Sequence, residues 1–156
     1  MLKKLAQTDD SIALLLVRLT LGAVIFPHGA QKLLGWFGGD GFAGAMHFFS
    51  GELKLPMVVG LLVIIAEFFG ALALIFGFLG RVGAFGILCV MLGAIVLIHG
   101  KFGFFMNWYG TQPAEGFEYH LLAIGMALAV IVQGSGALSI DRSLSDRSRS
   151  TGPRLP

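Results

Sequence analysis

Charged residues are scarce in this sequence, 13% of 156 positions against 56% hydrophobic ones. A soluble domain carries roughly a quarter of its residues as Asp, Glu, Lys or Arg, so a soluble globular protein is excluded and an integral membrane protein is implied. Cysteine is nearly absent. Cys89 stands alone inside an apolar run, which excludes an intramolecular disulfide, a cysteine-pair redox centre and a cysteine-rich metal cluster within one chain; its simplest role is that of a small buried hydrophobe. No nucleophile elbow or P-loop occurs, so the soluble nucleotide chemistry those motifs announce has no basis here. No His-x-x-x-His pair occurs either, and haem or another metal, the less favoured reading, would have to recruit its ligands from different helices. Alternation of polar and apolar residues is missing as well. The apolar runs are continuous, which fits helices and not the strands of a membrane barrel.

What the chain does have is four runs close to the length of about 20 residues that crosses a bilayer: Ile12–Leu34, Pro56–Phe78, Val82–His99 and Tyr119–Leu138. They predict an all-α integral membrane protein, an antiparallel four-helix transmembrane bundle over residues 12–138. A short segment, 1–11, precedes it, and a basic tail, 139–156, follows; the tail lacks apolar periodicity and is expected to be disordered. Asp9, Asp10 and Ser11 offer N-cap acceptors to the first helix, and Pro56 suits the first position of the second. Arg18 interrupts the first run and no A-x-A-like site stands directly at its end, so this run is read as a retained span and not as a signal peptide.

Lys and Arg in short loops set orientation. One side holds Lys3, Lys4, Arg81, Arg142, Arg147, Arg149 and Arg154; the other holds Lys54 and Lys101, with Lys32 at a helix end. Both termini are therefore expected in the cytoplasm, beneath a bacterial-type plasma (inner) membrane crossed several times. The net charge of +2 and the basic tail suit an anionic membrane face better than nucleic acid. The tight link "GFLGR" makes the second and third spans antiparallel neighbours. The opposite loops, Gly35–Leu55 and Gly100–Glu118, are rich in glycine and aromatics, Trp36 and Trp108 among them, as an interfacial belt or the rim of a site would be. Spans one and three end "FPHGAQKLLGWF" and "LIHGKFGFFMNW"; a duplicated two-helix unit explains this echo, and so does coincidence in a chain rich in Gly and Phe.

Polar residues inside the apolar runs mark the candidate site, because a charge in hydrocarbon costs about 2.5–3.5 kcal/mol and persists where it faces protein or water. Arg18, Gly22, Ile25, Gly29 and Lys32 share one stripe of the first helix, with His28 on its flank. Pro27 removes a backbone donor, and a bend or widened turn is expected beside His28. The second helix carries one acid, Glu67, near Gly60, Gly70 and Ala71 on its wheel. At 1.5 Å per residue Glu67 lies about 16 Å from either helix end, Arg18 about 10 Å and His28 about 25 Å from the start of theirs. Arg18 is thus expected to reach Glu67 from one side, with His28 and Lys32 approaching from the other. Such a pair is either a device that fixes helix register or part of a site. All four histidines, His28, His47, His99 and His120, fall on the outer half beside Glu115 and Glu118, two acids that also suit the start of a helix. The sharper reading is a quinone site, in which a neutral histidine donates to a carbonyl oxygen beneath aromatics. Glu67 and His28 would then be its catalytic groups, and Arg18, Lys32, His99, His120, Trp36 and Trp108 its binding groups.

From about Ile12 to Leu144 the chain resembles the DoxX family of small four-helix membrane proteins. The resemblance rests on "RLTLGAVIFPHGAQKLLGWF", on "EFFGALALIFGFLGR" with Glu67, Gly70, Gly77, Gly80 and Arg81 in place, and on "GFEYHLLAIGMALAVIVQGSGALSIDR". Ser135 stands where the family usually has proline. The family resembles the subunit of a thiosulfate:quinone oxidoreductase or terminal quinol oxidase. That implies quinone-linked redox chemistry, or an anchoring role beside enzymes of oxidative or thiol stress. With no flavin motif, cysteine pair or haem pattern, electrons would have to come from a redox-enzyme partner subunit; a homo-oligomer is a second expected partner. The alternatives are a non-catalytic membrane scaffold that docks redox or detoxifying enzymes, and a small proton-coupled transporter.

Overall fold

A computed structural model describes residues 6–150, and every regular element among them is helical. Helix α1 covers Ile12–Leu34. The Ser11 hydroxyl accepts from Leu14 N at 3.3 Å, which satisfies one of the free N–H groups of the first turn. The helix ends at Gly35, whose φ of 72° is the left-handed conformation glycine adopts freely. A 3-10 turn at Trp36–Gly38 and a short helix α2, Gly41–His47, follow, the latter running into a π-turn at Phe48–Glu52. Helix α3 spans Met57–Phe76 directly after Pro56. Helix α4, Gly80–Ala94, continues through a π-turn at Ile95–His99 and a 3-10 turn at Gly100–Phe102. Helix α5 is Glu118–Gln133 and helix α6 is Ile140–Ser150.

Three of these stretches, Ile12–Leu34, Met57–Phe76 and Gly80–Phe102, are long and apolar enough to cross a membrane; α5 is apolar but shorter, at 16 residues. Helix α1 packs on α3, α3 on α4, α4 on α5, and α1 also meets α5. The shared core holds Leu21, Ile25, Leu74, Ile87 and Val130, filled in by Ala71, Ala84, Ala123 and Ala127. Small residues are what packing between membrane helices needs, since lipid tails are as apolar as leucine and only close backbone approach adds contact. Large side chains such as Leu16, Leu62, Phe85, Val96 and Leu122 are exposed around the outside, a surface that calls for a lipid bilayer around it.

Three expectations are corrected. Of the bend or widened turn expected beside His28, the widened turn does not form, since α1 stays α-helical through Pro27; the widened turns lie instead before His99 and after His47. The fourth apolar run does not stay helical to Leu138. It stops at Gln133 because Gly134 turns to φ 94°, ψ −165° and packs against Gln7 and Thr8. The tail is not disordered over Ile140–Ser150, which forms α6 with Ser139 and Asp141 buried at its start. The expected basic positions Lys3, Lys4 and Arg154 lie outside the described residues.

Candidate functional site

Gly29 builds the site. A methyl group there would stand 2.5–2.7 Å from Phe68 N, Phe68 Cα and the Glu67 carbonyl carbon, so α1 and α3 meet backbone to backbone at that point. One turn further along α1, Lys32 then reaches Glu67, and Nζ and Oε2 lie 2.6 Å apart. Glu67 is only 5% exposed, and Oε2 takes no hydrogen bond beyond this ion pair. Phe26 and Phe68 pack beside the crossing with ring centroids 5.4 Å apart. His28, on the more exposed flank of α1, lies within electrostatic range of both Lys32 and Glu67.

The first turn of α5 supplies the other wall. Tyr119 is within electrostatic range of Glu67, and its hydroxyl is buried without a hydrogen-bond partner. His120 is 6% exposed, and its Nδ1 is likewise buried and unpartnered. A buried polar atom left without a partner is costly in a folded protein, and two in adjacent side chains near the Lys32–Glu67 ion pair make this the candidate site. The His120 ring packs on that of His99 at 4.3 Å. The π-turn Ile95–His99 delivers His99 to this position; one extra residue in a turn re-aims the side chain that follows it, a device common at functional sites. His99 Nδ1 in turn meets the carbonyl oxygen of Glu115 at 2.9 Å.

The loop between α4 and α5 is held by its own bonds. Glu118 Oε1 accepts from Met106 N at 3.0 Å and from Trp108 Nε1 at 3.1 Å. Asn107 and Gln112 close a second ring, at 2.9 Å in each direction. Glu118 thus organises the loop in addition to standing in the first turn of α5. Trp108 is 78% exposed and Trp36 projects from its own turn, so neither tryptophan is gathered with the ion pair. His47 faces an open cleft of about 560 Å³ lined also by Gln31, Lys32, Asp40 and Glu52. Lys32 is the residue shared between this cleft and the buried pair.

Arg18 is not Glu67's partner. Its closest contacts lie two turns further along α3, about 10 Å away, where its guanidinium donates to five backbone carbonyls. Nε bonds Ser135 O at 2.7 Å; Nη1 bonds Leu74 O and Ile75 O, each at 2.7 Å; Nη2 bonds Ala137 O at 3.2 Å and Leu138 O at 2.8 Å. Leu74 and Ile75 belong to the last turn of α3, where carbonyls lack helical partners and the dipole favours a cation. Asp141 supplies the nearby negative charge. Its carboxylate accepts from Leu79 N at 2.8 Å, Gly80 N at 3.0 Å and the Ser135 hydroxyl at 2.6 Å, capping the start of α4. Arg81 repeats the pattern, donating to the Ile131 and Val132 carbonyls at the end of α5 and to Gln7 O.

Of the expected site residues the structure therefore gathers Glu67, Lys32, His28, His99 and His120 and separates Arg18, Trp36 and Trp108. Sequence reasoning missed Tyr119, which stands beside His120 in "EYHLL" and could have been found as a polar-tipped aromatic one position from a buried histidine.

The sequence matches the family model described as DoxX over residues 13–100. It is 30% identical over 130 residues to a protein of Bacillus subtilis (strain 168) named "Putative oxidoreductase CatD", covering 83% of this chain and 85% of that one. It is also 30% identical over 138 residues to "Inner membrane protein YqjF" of Escherichia coli (strain K12), covering 88% and 96%. No solved structure matches it.

Proposed function

This chain belongs to the DoxX family, and on that premise we propose that it is the membrane subunit of a quinone-linked oxidoreductase. The proposal takes it to be an inner-membrane protein folded as an antiparallel four-helix bundle with cytoplasmic termini, working with a partner in redox or thiol-stress metabolism. The observation that carries the reading is the pair of unpartnered buried groups, the Tyr119 hydroxyl and His120 Nδ1, near the buried Glu67 and its half-exposed partner Lys32. A quinone head offers two carbonyl acceptors on an apolar ring, and a phenol O–H and an imidazole N–H within an apolar wall are donors that fit it. A bound quinone supplies acceptance of two electrons and two protons. Tyr119 and His120 orient the ring by donating to its oxygen. Glu67 presents Oε2 as a proton-accepting carboxylate oxygen, held in place by the ion pair with Lys32. His99, stacked on His120 and half-exposed, leads towards Glu115 and the surface. The partner supplies the electrons, since the chain's single cysteine and missing nucleotide motifs leave it no redox group of its own. The oxidoreductase class agrees with the name of the Bacillus relative, and the location with that of the Escherichia relative.

One observation favours the scaffold reading, the braced loop that presents Trp108 and Tyr109 to the outside. Solvent extraction and an oxidised-minus-reduced spectrum of the purified protein separate the two. The native protein is expected to carry quinone, and Tyr119→Phe, His120→Phe and Glu67→Gln to lose it while keeping a native melting curve. Quinone absent from the native protein, or retained equally by all three variants, would overturn the site and leave the scaffold.

A further inference from the structure

A proton can reach Glu67 from one end of the bundle only. Between Glu67 and the Arg18 clamp, every buried side chain among the described residues is apolar, with Leu21, Ile25, Ala71, Leu74 and Ile87 filling the space. That stretch offers no group to hand a proton on, and Arg18 itself is fixed by five carbonyls. The opposite end is open. There the cleft of about 560 Å³ reaches Lys32, in the last turn of α1, and Lys32 reaches Glu67. The Lys32 side chain is 28% exposed and that of Glu67 7%, so the ion pair runs from the cleft into the interior. Close backbone contact sets the walls of this cleft. A methyl group on Gly39 would stand 2.5 Å from Gln31 Cα, and one on Gly60 2.9 Å from Phe49 Cβ, which seats the 36–52 segment against α1 on one side and α3 on the other. Asp40, His47 and Glu52 line it with groups that hold water.

We propose that this cleft is the proton entry of the site and that Lys32 carries protons from its water to Glu67. The use made of those protons rests on the quinone reading; the route itself does not. At 2.6 Å the Nζ–Oε2 contact is within reach of direct transfer. The Lys32 N–H bond breaks as an O–H bond forms at Oε2, Glu67 passes that proton to a quinone oxygen, and Lys32 takes a replacement from cleft water. The redox partner supplies the electrons. Two such cycles match two electrons with two protons and return the ion pair to its starting charges. Both protons come from the end of the bundle that carries the 35–56 and 103–117 loops, so the site draws them from one side of the membrane only.

Proton exchange at Glu67 can be followed without quinone or partner, through the infrared band of its carboxyl group. The band is identified in acidified protein by its loss in Glu67→Gln and its shift in Glu67→Asp, and its deuteration is timed after mixing with heavy water. Ala45→Phe fills the cleft, which Ala45 lines, and keeps both members of the ion pair. Ala43→Phe, at an exposed position of the same helix, is the control. Ala45→Phe and Lys32→Met are each expected to slow deuteration by about 100-fold, with Ala43→Phe at the native rate. A native rate in both Ala45→Phe and Lys32→Met would overturn the route and leave the His120–His99 side as the entry. Slowing in Ala45→Phe alone would overturn the role of Lys32, and slowing in Lys32→Met alone would overturn the cleft. None of these outcomes depends on whether the purified protein carries quinone, so failure of the route and failure of the quinone site are read separately.

Discussion

At the scale of single residues, Arg18 shows why arginine and not lysine stands in this position. Five carbonyl oxygens, from the end of α3 and the 135–138 turn, surround one guanidinium at 2.7–3.2 Å, and only a planar fork with five N–H donors meets them all. Arg18→Lys keeps the charge but has three donors, so two carbonyls go unmatched; Arg18→Met leaves all five. Thermal stability in detergent should fall in the order native, lysine, methionine, with the methionine variant about 3–5 kcal/mol down. A lysine variant as stable as the native protein would show that charge alone suffices. This clamp is also where the sequence misleads: a string of letters displays Glu67 as an acid within reach, but does not display carbonyls, which belong to every residue alike. The lone arginine was legible as needing partners; that they would be backbone was not. Lys32 was legible only as one member of the stripe, since the pairing with Glu67 depends on the depth at which Gly29 lets α1 cross α3.

At the scale of elements, α6 has two halves with different duties. Asp141 closes the start of α4 and accepts from Ser135, so a chain cut before Asp141 uncaps that helix and leaves Arg18 without its nearby carboxylate. A chain cut after Asp146 keeps both contacts. The first truncation should lose at least about 2 kcal/mol in a melting experiment and the second almost nothing; equal losses would mean that the rest of α6 holds the fold. Deleting everything from Asp141 onward would therefore confuse a docking defect with an unfolding one. The long helices were readable because each is a continuous apolar run bounded by Ser11, Gly35, Pro56 or Gly77. The start of α6 was not, because "SIDRSLSDRSRS" has only Ile140 and Leu144 among polar residues and becomes ordered through the distant N–H groups of Leu79 and Gly80. The π-turn before His99 was equally invisible, having no residue signature of its own in "AIVLIH".

At the scale of the whole molecule, the helices are of unequal reach. Helix α5, with 16 residues, rises about 24 Å, short of a hydrocarbon layer of about 30 Å, whereas α1 and the Gly80–Phe102 stretch have 23 residues each. In the proposed four-helix bundle, the bilayer thins on the α5 side, next to Tyr119 and His120. The melting temperature should accordingly be higher in vesicles of short-chain than of long-chain phosphatidylcholine, and indifference to chain length would mean that flanking loops complete the crossing. The Arg18 clamp also bears on how the protein is made. Two of its partner carbonyls lie 56 and 57 residues further along the chain, but the other three begin only at 117, which at ribosomal speeds is a wait on the order of 10 s for the full set. Until then α1 carries a cation with at most the two acceptors of α3, so it lingers at the insertion machinery or keeps its guanidinium drawn up to the headgroups, and the arrival of the 135–138 turn completes the set that lets it settle in the interior.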